Sequence, residues 1–518
     1  MPRGWLLVLF PLFYSQGAIA QELIKIKGFV LKGNTVFSDA EILTAAAPLI
    51  GREVSFSDLL DLEARITQKY VEAGYINSGA KIPAGQILSP KDAVITIEII
   101  EGGLEEITVT GLRRLDPNYV RSRLAVAGAS PLNQNRLLEG LQLLRLDPLI
   151  SSVTAELSPG PNPNLSRLDV VVTESEPFEL KVNVDNGRSP AVGSVRRGVT
   201  FGYQNLSGIG DKLSANYVNT DGSNAFSFNY LVPVNPLNGT LSLEYDRTSS
   251  TVIEPPFDRL SILGESPTYR ITYRQPVYQT PLQELALGLT ASYQASQSTL
   301  GGEPFQLAPG ADPGGNTRIA AIRFFQDYLT RGRLEVFQAR SQFSYGVGLL
   351  GATINPDPPD SRFLAWRFQG QYVRSLGADS LWVTRVDTQL ANRPLVPQEQ
   401  FAVGGFRSVR GYRQDTILAD SGFFLSTEVQ IPIARFSPQD VLQVIPFADF
   451  GTTWSAGATP GLAARNGTLY SLGLGLQFRL GDRLTTRLDV GVPLNLTDAA
   501  GNALGTNNIL FSLEYRAF

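Results

Sequence analysis

The sequence predicts an all-β transmembrane barrel of about 16 antiparallel strands, preceded by two small α/β domains. Three observations carry that expectation. Past Pro177 the chain alternates apolar with polar side chains, in segments of roughly ten residues separated by turn chemistry. Before that point a mixed strand-and-helix pattern occurs twice. Mean hydropathy is −0.02, far too low for a helical membrane protein. It suits strands that offer only every second residue to lipid.

Residues 1–20 read as an export signal. Arg3 supplies a positive start, Trp5 to Phe13 form a short apolar run, and Ala18-Ile19-Ala20 gives a small-x-small cleavage pattern before Gln21. The run is about half the ~20 residues that a spanning helix needs. Residues 21–102 form the first α/β domain. Leu23 to Val30 alternate as a strand, Gly33-Asn34-Thr35 turns, and Ser38 with Glu41 makes a capping box ahead of Ile42 and Leu43. A longer helix runs from about Ser57 to Ala73, with Leu59, Leu62, Ile66 and Tyr70 on one stripe and Gly74 as its stop. Strands around Tyr75 to Ile82 and at Ala93 to Ile100 close the unit.

Residues 103–176 repeat that order. A strand at Ile107 to Thr110 leads to Gly111, and Asp116-Pro117 starts a helix that carries Val120 and Leu124 and ends at Gly128. A second helix presents Leu137, Leu138, Leu141 and Leu144. A hairpin of Val153 to Leu157 and Leu168 to Thr173 follows, joined by a turn rich in Pro, Gly and Asn.

Residues 177–518 form the barrel. Phe226, Phe228, Tyr230 and Val232 alternate with Ser227, Asn229 and Leu231. Leu472, Leu474, Leu476 and Phe478 alternate with Gly473, Gly475, Gln477 and Arg479, and Ile509, Phe511, Leu513 and Tyr515 continue the pattern. Repeated Glu, Arg and Asp on the second face point to a wet lumen. The length leaves on the order of twenty residues for each strand and its connection, enough for ~10 spanning residues and a loop. Connections alternate in length. Short ones (Leu206 to Asp211, Leu329 to Arg333, Leu376 to Asp379, Gly481 to Arg483) suit the periplasmic side. Long ones (Ser250 to Gly264, Ser296 to Gly314, Gly346 to Asp360, Asn392 to Asp420, Thr452 to Asn466) suit the outside. With the aromatic Phe518 last, both ends of the barrel face the periplasm. A soluble sandwich or propeller also alternates, but explains neither the loop lengths nor the charged second face.

Composition removes other classes. The 518 residues carry 44 Lys+Arg against 48 Asp+Glu, a net charge of −4 with no basic stripe, so no nucleic-acid partner is expected. There is no Cys and no His, which takes away thiol nucleophiles and the commonest general base and metal ligand. Carboxylate-only chemistry stays open, yet no enzyme, cofactor or metal site is expected.

The longest loop, 392–420, holds Gly404-Gly405-Phe406-Arg407-Ser408-Val409-Arg410-Gly411-Tyr412, and two strands later comes Phe447-Ala448-Asp449-Phe450-Gly451. Together these resemble the paired signatures of the POTRA-plus-barrel superfamily of outer-membrane transporters, a VRG(F/Y) loop tip and an FxDxG strand. The two α/β units look like POTRA domains, notably in "GNTVFS" at 33–38 and "ITIEIIEG" at 95–102. Two such units before about sixteen strands are similar in layout to two-partner secretion transporters, of the haemolysin-activator and filamentous-haemagglutinin exporter type.

That resemblance implies type V protein secretion without nucleotide. The partner is a large exoprotein with an N-terminal secretion domain, recognised unfolded by the POTRA domains. Outer-membrane lipid surrounds the barrel, and periplasmic chaperones and the barrel-assembly machinery serve its biogenesis. An assembly insertase and a diffusion porin are the alternatives. The resemblance also implies that the long loop folds inward and that Arg410 pairs with Asp449.

Strand parity supports the second point. Leu442, Val444, Ala448 and Phe450 share one face, while Gln443 and Asp449 share the other, so Asp449 points into the lumen. Arg410, beside Gly411, is then placed for a bidentate pair. Losing one partner of it is expected to cost ~3–5 kcal/mol. In the blander reading Arg410 is one exposed loop arginine among several. Val409, Gly411 and Tyr412 complete the loop motif, and Phe447 and Gly451 the strand motif. Glu428 shares an inward face with Ser426 and Gln430. It is either a support for the loop or, as the favoured reading, a solvated lumen carboxylate.

Asp449-Phe450-Gly451 spells a kinase triad but lacks the accompanying Gly-rich loop and strand lysine. Gly473 and Gly475 are strand positions outside any βα turn. Barely two residues separate the predicted cleavage point from the first strand, so a pore-plugging helix is not expected. Phe518 falls out of phase with Tyr515 and Ala517.

Overall fold

Gly33 and Gly111 follow the first strands of two units that share one order of elements. Both have positive φ (90° and 88°), and a Cβ at either would lie 2.4 Å from a strand carbonyl, that of Ile99 and that of Val172 respectively. Only glycine turns the chain there. The computed structural model that establishes this describes residues 23–87, 92–457, 466–495 and 508–517. The signal-peptide reading and the Phe518 reading both lie outside those residues.

In the first unit, strands Ile24–Lys32 and Ala93–Ile100 pair in parallel, flanked by Glu53–Val54 and Gly79–Lys81 at the edges. Helices α1 (Asp39–Ala46) and α2 (Phe56–Glu72) cover the sheet. Each starts with a reciprocal capping box, Ser38 with Glu41 and Ser55 with Asp58, which satisfies amides that no helical carbonyl can reach. Leu59, Leu62, Ile66 and Tyr70 on α2 pack against Ile26, Ile95, Ile97 and Ile99. The strand predicted over Tyr75 to Ile82 is ordered as ladder only at Gly79–Lys81, because a turn occupies the residues before it, with the Ser78 amide donating to the Tyr75 carbonyl at 3.1 Å.

The second unit runs as strand Gly103–Thr110, helices α3 (Pro117–Ala127) and α4 (Gln134–Arg145), then strands Ile150–Pro159 and Leu165–Glu174. Of the predicted apolar stripe on α4, Leu137 and Leu144 are buried but Leu138 is 46% exposed. Adjacent positions point to different sides of a helix, so one leucine of the pair turns to water.

A carboxylate clasps the turn after the first strand in each unit. Glu101 accepts from the Thr35 and Val36 amides at 2.7 and 2.8 Å and from the Tyr70 hydroxyl at 3.0 Å. Glu174 accepts from the amides of Arg113, Arg114 and Leu115 at 2.7, 2.8 and 2.9 Å, and from Arg114 Nε at 3.0 Å. Burial alone would raise the Glu174 carboxyl. The Leu115, Arg114 and Arg113 amides and the Arg114 side chain outweigh it and hold the pKa down at about 2.

A depressed carboxylate contributes stability above its unfolded pKa of ~4.3, lost as pH falls through the folded value. Glu174→Gln should therefore melt below wild type at pH 7. The gap should close as pH falls from about 4.3 toward 2. A pH-independent difference in melting temperature would contradict this.

Sixteen strands among the described residues close into one antiparallel barrel, with a short extra hairpin strand at Glu303–Pro304. They are β1 (Phe178–Asp185), β2 (Arg196–Gln204), β3 (Lys212–Asn219), β4 (Ser223–Pro233) and β5 (Thr240–Thr251). Next come β6 (Leu263–Gln279), β7 (Gln283–Leu300), β8 (Asn316–Arg331), β9 (Glu335–Val347), β10 (Leu364–Gly377) and β11 (Ser380–Ala391). The last are β12 (Ser421–Arg435), β13 (Val441–Trp454), β14 (Gly467–Leu480), β15 (Leu484–Pro493) and β16 (Ile509–Arg516). Closure is by β16 on β1, from Ser512 opposite Asp185 to Arg516 opposite Lys181.

Outward residues such as Leu472 and Leu474 are 52% and 54% exposed. A continuous apolar wall of that kind is stable against hydrocarbon and unstable in water. The described helices contain no segment long and apolar enough to cross a membrane.

Candidate functional site

The segment joining β11 to β12 lies against the inner wall of the barrel. Within it, Phe401–Val403 and Ile417–Ala419 pair as a small hairpin. Its apolar side chains bury against the wall at two places. Phe401, Val403, Val409, Tyr412 and Ile417 cluster with Phe424 of β12 and Leu469 of β14. Leu395 and Val396 cluster with Ile319 and Ala321 of β8 and with Phe363 and Ala365. Each buried apolar side chain contributes roughly 1.5–3 kcal/mol, so hydrophobic burial alone gives the loop a seat.

Charge fixes where it sits. Arg410, at the hairpin tip, is 2% exposed. Its Nε donates to Asp449 Oδ2 at 2.7 Å and its Nη2 to Asp449 Oδ1 at 2.8 Å, while its own amide donates to Oδ2 at 3.1 Å. Nη2 also reaches Ser426 Oγ at 3.2 Å, and that hydroxyl donates to Asp449 Oδ1 at 2.7 Å. Nη1 donates to Glu428 Oε2 at 3.0 Å. The guanidinium lies 3.5 Å above the Phe447 ring, a cation–π contact in a site closed to water. A buried arginine is tolerable only when so many of its donors are matched.

Three residues that sequence reasoning did not single out complete the cluster. Arg487 of β15 donates to Glu428 Oε2 at 2.9 Å and, through Nε, to Asp489 Oδ2 at 2.8 Å. Asp489 stands 3.8 Å from Arg410 Nη1. Arg385 of β11 is within electrostatic reach of both Glu428 and Asp449. Three carboxylates thus face three guanidinium groups. Glu428 is 4% exposed and bridges two arginines, so the solvated-carboxylate reading is corrected. The signal for Arg487 and Asp489 was their shared inward parity on β15.

The strand motif's three residues all face inward, and each has a separate task. Phe447 carries the guanidinium, Asp449 pairs with it, and Gly451 leaves room for the loop. A Cβ at Gly451 would come within 2.8 Å of Val409 and 3.0 Å of Val403. The neighbouring wall is bare for the same reason, since a Cβ at Gly473 would lie 2.1 Å from the Phe447 ring and one at Gly491 2.6 Å from the Gly411 amide. Gly411 itself has φ 92°, which turns the chain so that Tyr412 can follow Arg410 onto the wall. The Tyr412 hydroxyl ends 2.8 Å from the Asn495 carbonyl and 3.0 Å from that of Tyr470.

Across the lumen, the tip residues Phe406, Arg407, Gln414 and Asp415 border a cavity of about 1030 Å³. The facing wall carries Arg274, Asp327, Arg340, Arg367 and Asp387. Those charges are mutually paired: Arg340 with Asp327 at 2.6 Å and Arg367 with Asp387 at 2.7 Å. The arrangement seats a loop of chain inside a polar lumen. Asp449, Phe450 and Gly451 all belong to the barrel wall, on β13.

A family model described as haemolysin secretion/activation protein ShlB/FhaC/HecB matches residues 164–478, and one for the ShlB-type POTRA domain matches residues 24–102. The outer membrane transporter CdiB of Dickeya dadantii is 22% identical over 420 residues, covering 77% of this chain and 72% of its own. The heme/hemopexin transporter protein HuxB of Haemophilus influenzae is 24% identical over 414 residues, covering 78% and 71%. Among solved structures, CdiB from Escherichia coli superposes with a TM-score of 0.74 at 19% identity, over 97% of this chain and 92% of that one.

Proposed function

We infer, since this chain belongs to the ShlB/FhaC/HecB family of haemolysin secretion/activation proteins, that the latched loop is the gate of its export pore. The chain is an outer-membrane two-partner secretion transporter with its POTRA region in the periplasm. The observation that carries the gating reading is the buried Arg410–Asp449 pair, which holds a long loop inside a closed barrel at a position that unfolded chain must pass.

The exported partner is a large exoprotein with an N-terminal secretion domain. It arrives unfolded and adds a strand to a POTRA sheet edge, such as Gly79–Lys81, by main-chain hydrogen bonds that ask little of its sequence. It then displaces the loop, and folding outside makes return unfavourable. No nucleotide is needed. The chain is a transporter, not an enzyme. Outer-membrane lipid covers the apolar girdle, and periplasmic chaperones and the assembly machinery bring the barrel there.

Deletion of this chain in its own host tests the role. Loss of one or a few large exoproteins from the medium, with other outer-membrane proteins at normal levels, is the expected result. A general fall in outer-membrane proteins would instead mark an assembly insertase, and a change confined to small-solute uptake a diffusion porin.

A further inference from the structure

We propose that helix α3 is a fixed clamp on the periplasmic rim, with Tyr119 and Arg123 as the positioning residues that keep the barrel-proximal part of the second α/β domain at the pore entrance. The proposal rests on the exporter reading and adds to it a place of hand-over.

The contacts span consecutive rim turns. Just before α3, the Asp116 amide donates to the Gly208 carbonyl at 2.8 Å, in the turn between β2 and β3. The Tyr119 ring packs against the same turn, where a Cβ at Gly210 would come within 2.4 Å of its Cε2. Its hydroxyl donates to Asp147 Oδ2 at 2.7 Å. Burial, with the Asp147 carboxylate beside it, pushes that hydroxyl's pKa up and keeps it a donor.

The Arg123 guanidinium stacks 3.5 Å over the Tyr119 ring. Its Nε donates to Asn238 Oδ1 at 2.8 Å, in the turn between β4 and β5. Asn238 in turn donates to Gln279 Oε1 at 2.7 Å, beside the turn between β6 and β7. One stacked pair thereby ties a helix to two turns directly and, through Asn238, to a third.

A rigid tie has a functional consequence. Peptide held next to the pore has a high effective concentration there, and a loose tether dilutes it. Glycine at 210 and the left-handed Asn238 (φ 60°) are what such a dock needs from the barrel side, a bare turn for a ring and a turn that presents an amide.

The chain has no cysteine, so two engineered ones at exposed Ala125 and Gln439 take spin labels cleanly in the full chain. Wild type should give one narrow distance distribution. Tyr119→Ala and Arg123→Ala should broaden it and lower secretion about tenfold. Pore conductance should stay unchanged, as should affinity for the N-terminal domain of the exoprotein lost on deletion. Tyr119→Phe keeps the ring and should restore both readouts. Asn238→Ala, on the barrel side, should weaken secretion in the same direction should a helix variant misfold. A broad distribution in wild type, or full secretion by both alanine variants, would overturn the clamp. The distance measurement needs no exported partner, so its outcome is separate from that of the exporter reading.

Discussion

Asp449→Ala is expected to release the loop and collapse secretion. The substitution removes both oxygens that hold Arg410, together with the acceptor for the Arg410 amide and for Ser426 Oγ. Arg410 is left buried against Glu428 and Asp489, which Arg487 already engages. Breaking one side of a buried pair costs about 3–5 kcal/mol. At ~1.4 kcal/mol for each factor of ten, the loop-in state loses roughly two to three and a half powers of ten in population.

Planar-bilayer recordings should then show frequent large openings in place of a closed pore, and exoprotein should fall in the medium. Arg410→Ala should behave alike. Arg410→Lys should fall between, because an ammonium cannot make the two-pronged contact. Unchanged conductance and secretion in both alanine variants would end the latch account.

Gly451→Val reaches the same end without touching a charge. The new side chain would start 2.8 Å from Val409 and 3.0 Å from Val403, closer than van der Waals contact. Overpacking of this kind costs about 1–3 kcal/mol, so openings should rise roughly tenfold or more and secretion should drop. Phe450→Leu, one residue away but on the lipid face, is the control with no expected effect. Val409→Ala in the Gly451→Val background gives back the volume. Secretion that recovers in the double variant assigns the defect to space; a double variant no better than the single one would show that room for the loop is not what Gly451 provides.

Much of this was legible in the sequence because barrels and amphipathic helices write their geometry locally. Parity alone placed Asp449, Glu428 and Ser426 inside and Phe450 outside. The spacing from Ser38 to Glu41 foretold a cap, and Leu59, Leu62, Ile66 and Tyr70 foretold a buried stripe. Parity, however, says only which face a side chain takes. It cannot say what lies above that face, and so Glu428 was read as solvated although Arg410 and Arg487 close over it.

Arg487 and Asp489 were overlooked for a related reason. They meet Glu428 across β13 and β14, and that proximity depends on strand register and barrel curvature, which no short window of sequence contains. The glycine-bare wall was visible only as letters, Gly451, Gly473 and Gly491. Its meaning emerged with the loop that rests on it. Leu138, on the other hand, matched the apolar pattern and is exposed, since a wide stripe does not tell which edge of it meets the core.

Paired charge, added to the apolar seat, is what locks the loop in place inside the pore. Spin labels at exposed Arg407 on the loop and Gln439 on the opposite rim, both changed to cysteine in an otherwise cysteine-free chain, measure that directly. One narrow distance should dominate the parent, and Asp449→Ala should add a second, displaced population. Identical narrow distributions in the two proteins would contradict the claim.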